Sequence, residues 1–416
     1  MNSGFAAAKE DTRHMTNSTD RGPTLGGMNG SNSANQPELT DEFLRRTPKV
    51  LLHEHLDGCL RPATVLSLAA EIGYDELPES DTERLGKWFF EGASRGSLPL
   101  YLEGFRHTIA VMQSASALER VAYELAEDLA AENCVYFEVR FAPHFHTSEG
   151  LGLDAVMGAV LRGMKRGKED FGIESGLIVC AMRNQSAELS LKLAELAVSW
   201  FDRGCRGFDL AGEEAGHPAK HHIEAFQLIQ RRNGSITIHA GESFGPESIW
   251  QALQYCGAHR IGHGTHLIDD IAIYDDKVIK VGSLATYVLD HRIPIECCLQ
   301  SNVHTGAAPS LAEHPFPYLL REGYRVTLNT DNRLMSRTTM TAEFRAAVDT
   351  YGCDLHDLER VTVNAMNAAF YPYADRHRII DEHIEPAYRA LHAELDSGRS
   401  PVEGKGKGKE QKGGNG

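Results

Sequence analysis

The sequence predicts an α/β fold, a closed (β/α)8 TIM barrel with a helical insertion after the first strand. Two observations carry this prediction. Eight short runs rich in β-branched and aromatic residues recur through the body of the chain, and segments with apolar residues three and four apart lie between them. Near-continuous apolar runs read as strands buried on both faces, as in a parallel sheet. The 416 residues suffice for one large barrel. An open doubly wound sheet is the rival arrangement.

Taken in order, residues 1–38 are rich in Gly, Ser, Asn and Thr and carry almost no large apolar side chains, so a disordered arm is expected. The barrel body should span 39–398. Its first strand is VLLHEHL at 50–56. The stretch 57–133 is too long for a simple loop and must hold the insertion. Within it, residues 97–105 (SLPLYLEGF) read either as a lid over the mouth of the barrel or as a helix packed on its rim. The remaining strands are CVYFEVRF at 134–141, GLIVCAM at 176–182, GFDLAG at 207–212, SITIHAGE at 235–242, RIGHG at 260–264, IPIECCLQSN at 293–302 and YRVTLNTDN at 324–332. Amphipathic helices are expected over 117–130, 189–200 and 222–230. Residues 399–416 form a Lys/Gly tail, either simply solvated or a weak anion-binding tether.

Composition narrows the function. A net charge of −16 repels phosphate backbones and anionic membranes, so neither nucleic acid nor a membrane is an expected partner. The eight cysteines include no C-x-x-C spacing, and Cys297 and Cys298 are adjacent. Scattered reduced thiols fit a cytoplasmic protein. The N-terminus lacks the apolar core of a secretory signal, and no run of 18 apolar residues occurs.

The residues that carry chemistry cluster at predicted strand ends. His53 and His55 end the first strand and, two apart, point the same way. His239 closes the fifth, His263 the sixth and Asp331 the eighth. Barrel active sites sit at the C-terminal ends of the strands, so these side chains can converge there. Imidazoles with one carboxylate suit zinc, with water completing the shell. Singly, such signals are weak: His144-Phe-His146 repeats the spacing of His53 and His55 by chance. Shared placement is what gives them weight. Gly241, Gly262 and Gly264 flank the imidazoles and permit close backbone approach.

These residues lie in ordered motifs: His53-Glu-His-Leu-Asp-Gly58, Phe208-Asp-Leu-Ala-Gly212, His239-Ala-Gly-Glu242, Ile261-Gly-His-Gly264, Ser301-Asn302 followed by Thr305-Gly306, and Asn329-Thr-Asp331. With them, the chain from about 47 to 370 resembles the adenosine deaminase family of metal-dependent barrel hydrolases. The resemblance implies one zinc ion per subunit on His53, His55, His239 and Asp331, and hydrolytic removal of ammonia from a 6-aminopurine nucleoside. Zinc lowers the pKa of bound water toward ~7. C6 of the purine becomes attackable once ring nitrogen N1 is protonated, and Glu242, three residues beyond a ligand, is the candidate acid. His263 is implied to orient the attacking hydroxide. His55, Asp57, Gly212 and Asn332 are the expected substrate contacts. Asp57 would bind a ribose hydroxyl and repel a 5′-phosphate, and the Gly212 N–H would approach purine N3.

One departure stands out. The family has two aspartates followed by proline where this chain reads Asp331-Asn332-Arg333. Purine N7 is an acceptor, and the Asn332 amide offers a permanent donor there. Leu299 and Gln300 also differ from the family pattern, with no physical reading. The expected reaction is deamination of adenosine and 2′-deoxyadenosine. The alternatives are deamination of adenine or of a modified adenine nucleoside, and a binding protein on the same barrel without turnover. The H-x-E…P-C-x-x-C signature of base-flipping deaminases is absent. Oligomeric state stays open.

Overall fold

The computed structural model describes residues 39–274 and 277–397. The arm at 1–38 and the tail at 399–416 lie outside the described residues. Eight parallel strands follow the order β1-β2-β3-β4-β5-β6-β9-β10 around a barrel. They are β1 (Lys49–Leu51), β2 (Cys134–Phe141), β3 (Glu174–Met182), β4 (Cys205–Ala211), β5 (Ser235–Ala240), β6 (Arg260–His263), β9 (Ile295–Cys297) and β10 (Val326–Leu328). The ring closes beyond the ends of β10 and β1. There the His55 N–H donates to the Asp331 carbonyl at 2.8 Å and the Asp331 N–H to the His53 carbonyl at 2.9 Å. The (β/α)8 barrel expected from the apolar runs is therefore the observed fold.

Two expectations are adjusted, and one further element appears. The first strand ends at Leu51, and His53 and His55 lie in the extended segment that makes the closing bridges. The run at 293–302 is a strand only over β9. Leu299–His304 is a short helix, whose first N–H groups have no partner within the helix. Glu343 accepts the Leu299 N–H at 3.1 Å and stands in for that partner. An antiparallel hairpin of β7 (Ile271–Tyr274) and β8 (Lys277–Val281) follows β6 outside the barrel.

The insertion after β1 is helical, as expected. It contains Pro62–Ile72, Thr82–Ala93, Leu98–Tyr101, Phe105–Val111 and Ala115–Ala131. Asp81 caps the second by accepting the Glu83 and Arg84 N–H groups, and Ser114 caps the last by accepting that of Ala117. The expected amphipathic helices appear as Ala115–Ala131, Ala187–Ser199 and Ile223–Arg231. Among the described residues, no helix is long and apolar enough to cross a membrane.

The centre of the barrel is ionic. Arg140 pairs with Asp209 at 3.0 Å and Glu296 at 2.9 Å, and Arg260 pairs with Glu296 and Glu138, both at 2.6 Å. All five side chains are buried. Charges removed from water persist only when paired and hydrogen-bonded, so this lattice constrains the strands that carry it. It lies directly beneath the histidines.

Candidate active site

The five predicted strand-end residues meet. Donor atoms of His53, His239, His263 and Asp331 all lie within 4.8 Å of one another. Nε2 of His55 is 3.0 Å from Nε2 of His239 and 3.4 Å from Oδ1 of Asp331, and Nε2 of His53 is 3.2 Å from the same oxygen. The decoy pair stays out of this cluster: His146 bonds the Met112 carbonyl through Nδ1 at 3.1 Å.

The ionic lattice sets the tautomers. Glu296 is buried, yet Arg140 and Arg260 outweigh the burial and hold its carboxyl well below the usual range. An ionised carboxylate only accepts, so the His53 Nδ1–H donates to it at 2.8 Å, and in the neutral ring Nε2 is left with a bare lone pair. Nε2 is buried and faces Asp331 Oδ1 at 3.2 Å. Asp209 is likewise held low against burial by His239 and Arg140, and it accepts from His239 Nδ1 at 3.1 Å. His239 Nε2 is therefore also a bare lone pair, 3.0 Å from another imidazole nitrogen. Nitrogens so close repel unless a cation or proton lies between them. Buried lone pairs aimed at one point beside a carboxylate fit a metal of the zinc type. Ser301 donates to Asp331 Oδ2 at 2.6 Å, which leaves Oδ1 facing the imidazoles.

His263 is wired differently. The Phe316 N–H donates to Nδ1 of His314 at 3.0 Å, so His314 carries its proton on Nε2. That proton goes to Asn302 Oδ1 at 3.0 Å, which fixes the amide orientation. Asn302 Nδ2 then donates to His263 Nδ1 at 2.9 Å, and the His263 proton must sit on Nε2. A protonated nitrogen offers a donor, not a ligand lone pair. His263 thus differs in chemistry from its three neighbours, although it lies among them.

Glu242 follows β5. Its carboxylate is buried and 3.7 Å from His263 Nε2. Burial, then the nearby Asp331 and Glu214, push its pKa well above the carboxylate norm. The loop that carries it hangs on Glu214, whose oxygens accept the N–H groups of Gly241, Glu242 and Ser243 at 3.0, 2.7 and 2.9 Å. Backbone strain collects here too: His263 and Asp331 both take left-handed φ, of 63° and 61°. A Cβ on Gly262 would come within 3.1 Å of His53 Cε1, so glycine there admits the imidazole.

Beside the cluster lies a cavity of ≈ 330 Å³ lined by Asp57, Gly212, Glu242, His263 and Asn332 among others, a size typical of small-molecule sites. Asp57 is buried, its Oδ1 has no partner among the described residues, and burial raises its pKa to about 7. Gly212 has a φ of 99°, which favours glycine. Asn332 lies against the backbone of Gly58, where a Cβ would stand 1.9 Å from Oδ1. Leu98, Tyr101, Leu102 and Phe105 form an apolar wall of the same cavity. The Gly96 N–H is bonded to the His304 carbonyl at 2.9 Å and Tyr101 Oη to Ser336 Oγ at 2.9 Å, so the ends of this wall are tied to the rim.

The adenosine deaminase family model matches residues 48–386. The chain belongs to the adenosine deaminase family. Adenosine deaminase 1 of Streptomyces coelicolor is 51% identical over 356 residues, which cover 84% of this chain and 89% of that relative. Adenosine deaminase of Mycobacterium leprae is 50% identical over 355 residues, 84% of this chain and 98% of the relative. Among solved structures, an adenine deaminase from Arthrobacter aurescens superposes with a TM-score of 0.73 at 25% identity, covering 81% of this chain and 98% of that one.

Sequence reasoning left unnamed the groups that orient the imidazoles. They are Glu296 for His53, Asp209 for His239 and Asn302 with His314 for His263. Arg140 and Glu296 had a readable signal, as charges inside apolar strand runs. His314 and Glu214 had none.

Proposed function

We propose that the protein hydrolyses adenosine and 2′-deoxyadenosine to inosine and 2′-deoxyinosine with release of ammonia, in purine salvage or catabolism. The observation that carries this reading is the buried Glu242 carboxyl, its pKa raised by burial, beside the converging donors of His53, His55, His239 and Asp331 and a cavity of nucleoside scale. His53, His55, His239 and Asp331 would hold a zinc ion. Such an ion acidifies water to a pKa near ~7 and so supplies a nucleophile at neutral pH.

The other steps belong to the chain's own side chains. Glu242, kept neutral by burial, donates its proton to purine N1, which makes C6 electrophilic. The His263 Nε2–H points at the same region and donates to the oxygen that attacks C6, countering its charge. The Gly212 N–H meets N3 and the Asn332 amide donates to N7. Asp57 accepts from a ribose hydroxyl and disfavours a 5′-phosphate. The apolar wall from Leu98 to Phe105 excludes water and so strengthens these contacts. Eight free, buried cysteines agree with a reducing, cytoplasmic setting.

The test is ammonia release and ultraviolet absorbance change on adenosine, 2′-deoxyadenosine, adenine and AMP, with metal content measured on the same protein. Turnover of the two nucleosides well above adenine and AMP is expected. Preference for adenine would transfer the reading to a free-base deaminase, and no release from any of them by metal-loaded protein would leave a binding protein.

A further inference from the structure

The opposite end of the barrel holds a second and larger cleft, of ≈ 770 Å³. It opens where β4, β5 and β6 begin and where the chain enters β9 and β10, the end away from the histidines. Its walls carry Arg206, Arg232, Arg260, Arg292, Arg325 and Arg376, against the carboxylate of Asp202. Arg260, at the floor, is neutralised by Glu138 and Glu296. The other five form no carboxylate ion pair among the described residues. Arg292 and Arg376 donate to the backbone carbonyls of Gly323 and Asn367. Nε atoms of Arg206 and Arg376 are buried and have no partner among the described residues.

That is unusual in a chain of net charge −16. Many arginines elsewhere pair with carboxylates, as in Arg46–Glu394, Arg61–Asp128 and Arg345–Asp41, although Arg183 and Arg203 donate to backbone carbonyls. Here like charges face one another. Burial, then Arg292 and Arg376, lower the pKa of Arg325. Aromatic faces hold guanidinium groups in place: Arg260 lies 3.6 Å from the ring centroid of Phe370 and Arg206 5.3 Å from that of Tyr371. Planar guanidinium forks arranged around one cleft match the oxygens of phosphates.

We propose that this N-terminal mouth of the barrel binds a small polyanion of adjacent phosphates, either a nucleoside polyphosphate or an inorganic one. Five arginine cations without carboxylate partners, spread over a cleft of this size, call for several linked negative charges. The chain's own ends do not supply them. Residues 1–38 carry four acidic and three basic side chains, and residues 399–416 carry two acidic and five basic ones.

The test is isothermal titration calorimetry of the full chain with inorganic phosphate, tripolyphosphate and ATP, on the wild type and on Arg232→Glu/Arg325→Gln. Arg260 is left unchanged because it shares Glu296 with His53. An exposed pair, Arg232→Glu/Arg292→Glu, serves if the first variant fails to fold. Deamination without added anion should be unchanged in either variant. Tripolyphosphate should bind one per chain, at least tenfold tighter than phosphate, with affinity that falls as salt rises. It should bind the variant at least tenfold more weakly than the wild type. Binding of both polyphosphates assigns the phosphate chain as the ligand, and binding of ATP alone assigns a nucleotide. Zinc removal by the probe, or ATP entering the active site, would affect both proteins alike. Equal titrations in wild type and variant, or no binding of either polyphosphate, would overturn the proposal.

Discussion

Asn302 donates from Nδ2 to Nδ1 of His263 at 2.9 Å, and this contact decides what His263 can do. With Nδ1 occupied as an acceptor, the ring's proton points into the active site. The wiring starts at a backbone N–H, that of Phe316, and passes through His314. Asn302→Asp places an acceptor at Nδ1 and pulls the proton there. Turnover should fall by roughly 10²–10⁴-fold, as when a catalytic imidazole is held in the wrong tautomer, while zinc content stays at one per chain. Nitrogen-15 spectra of the histidine rings should show the Nε2–H form of His263 in the wild type and its loss in the variant. An unchanged tautomer with full activity would contradict this wiring.

His239→Ala removes one of the bare lone pairs that Asp209 creates. Metal content and deamination should be lost together. A variant that keeps its zinc but not its activity would place His239 outside the ligand set.

Asn332 sits where the family has a second aspartate. The amide donates at every pH, whereas an aspartate donates only when protonated. Asn332→Asp should therefore bind purine nucleosides with a KM that rises more steeply with pH than that of the wild type. Identical pH dependence of KM in the two proteins would defeat this account. Gly58→Ala drives a methyl into the Asn332 side chain. It should raise KM by roughly the 3- to 10-fold that one lost hydrogen bond is worth, with zinc retained.

Glu343 anchors the helix that carries Ser301 and Asn302. It accepts the Leu299 N–H at 3.1 Å and the Thr338 hydroxyl at 2.7 Å, and burial raises its pKa to about 8. Because the folded value lies above the unfolded one, the folded state holds a proton that the unfolded state has released. Stability therefore falls as pH rises from about 4.5 to about 8, by a few kcal/mol at most. Glu343→Gln keeps the shape without the proton. Denaturant unfolding at pH 5, 6.5 and 8 should show the wild type losing stability relative to the variant. Parallel pH profiles would exclude Glu343 as the titrating group.

Much of this was legible in the residues. The second strand at 134–141 has the bounds its apolar run predicts, and the four dispersed histidines and Asp331 converge as their strand-end positions require. The misread segment was 299–302, where Leu299 prolongs an apolar run although the backbone has already turned into a helix. The orienting groups were harder. Glu213 and Glu214 are adjacent and chemically identical, yet Glu213 is exposed and Glu214 holds three N–H groups of the Glu242 loop. Nothing local separates them, because the difference is made by a loop 27 to 29 residues away. Arg140 and Glu296 announced themselves as charges in apolar strands, but their pairing spans 156 residues. Periodicity reports which face a side chain takes, not which distant partner meets it there.

Glu242→Gln puts the central claim to its most direct test. The measurement is kcat for adenosine, with zinc content and nucleoside affinity determined on the same sample. The account predicts one zinc per chain, unchanged nucleoside affinity and a kcat lower by about 10²–10⁴-fold, the contribution of a general acid. Turnover within a few-fold of the wild type would contradict it.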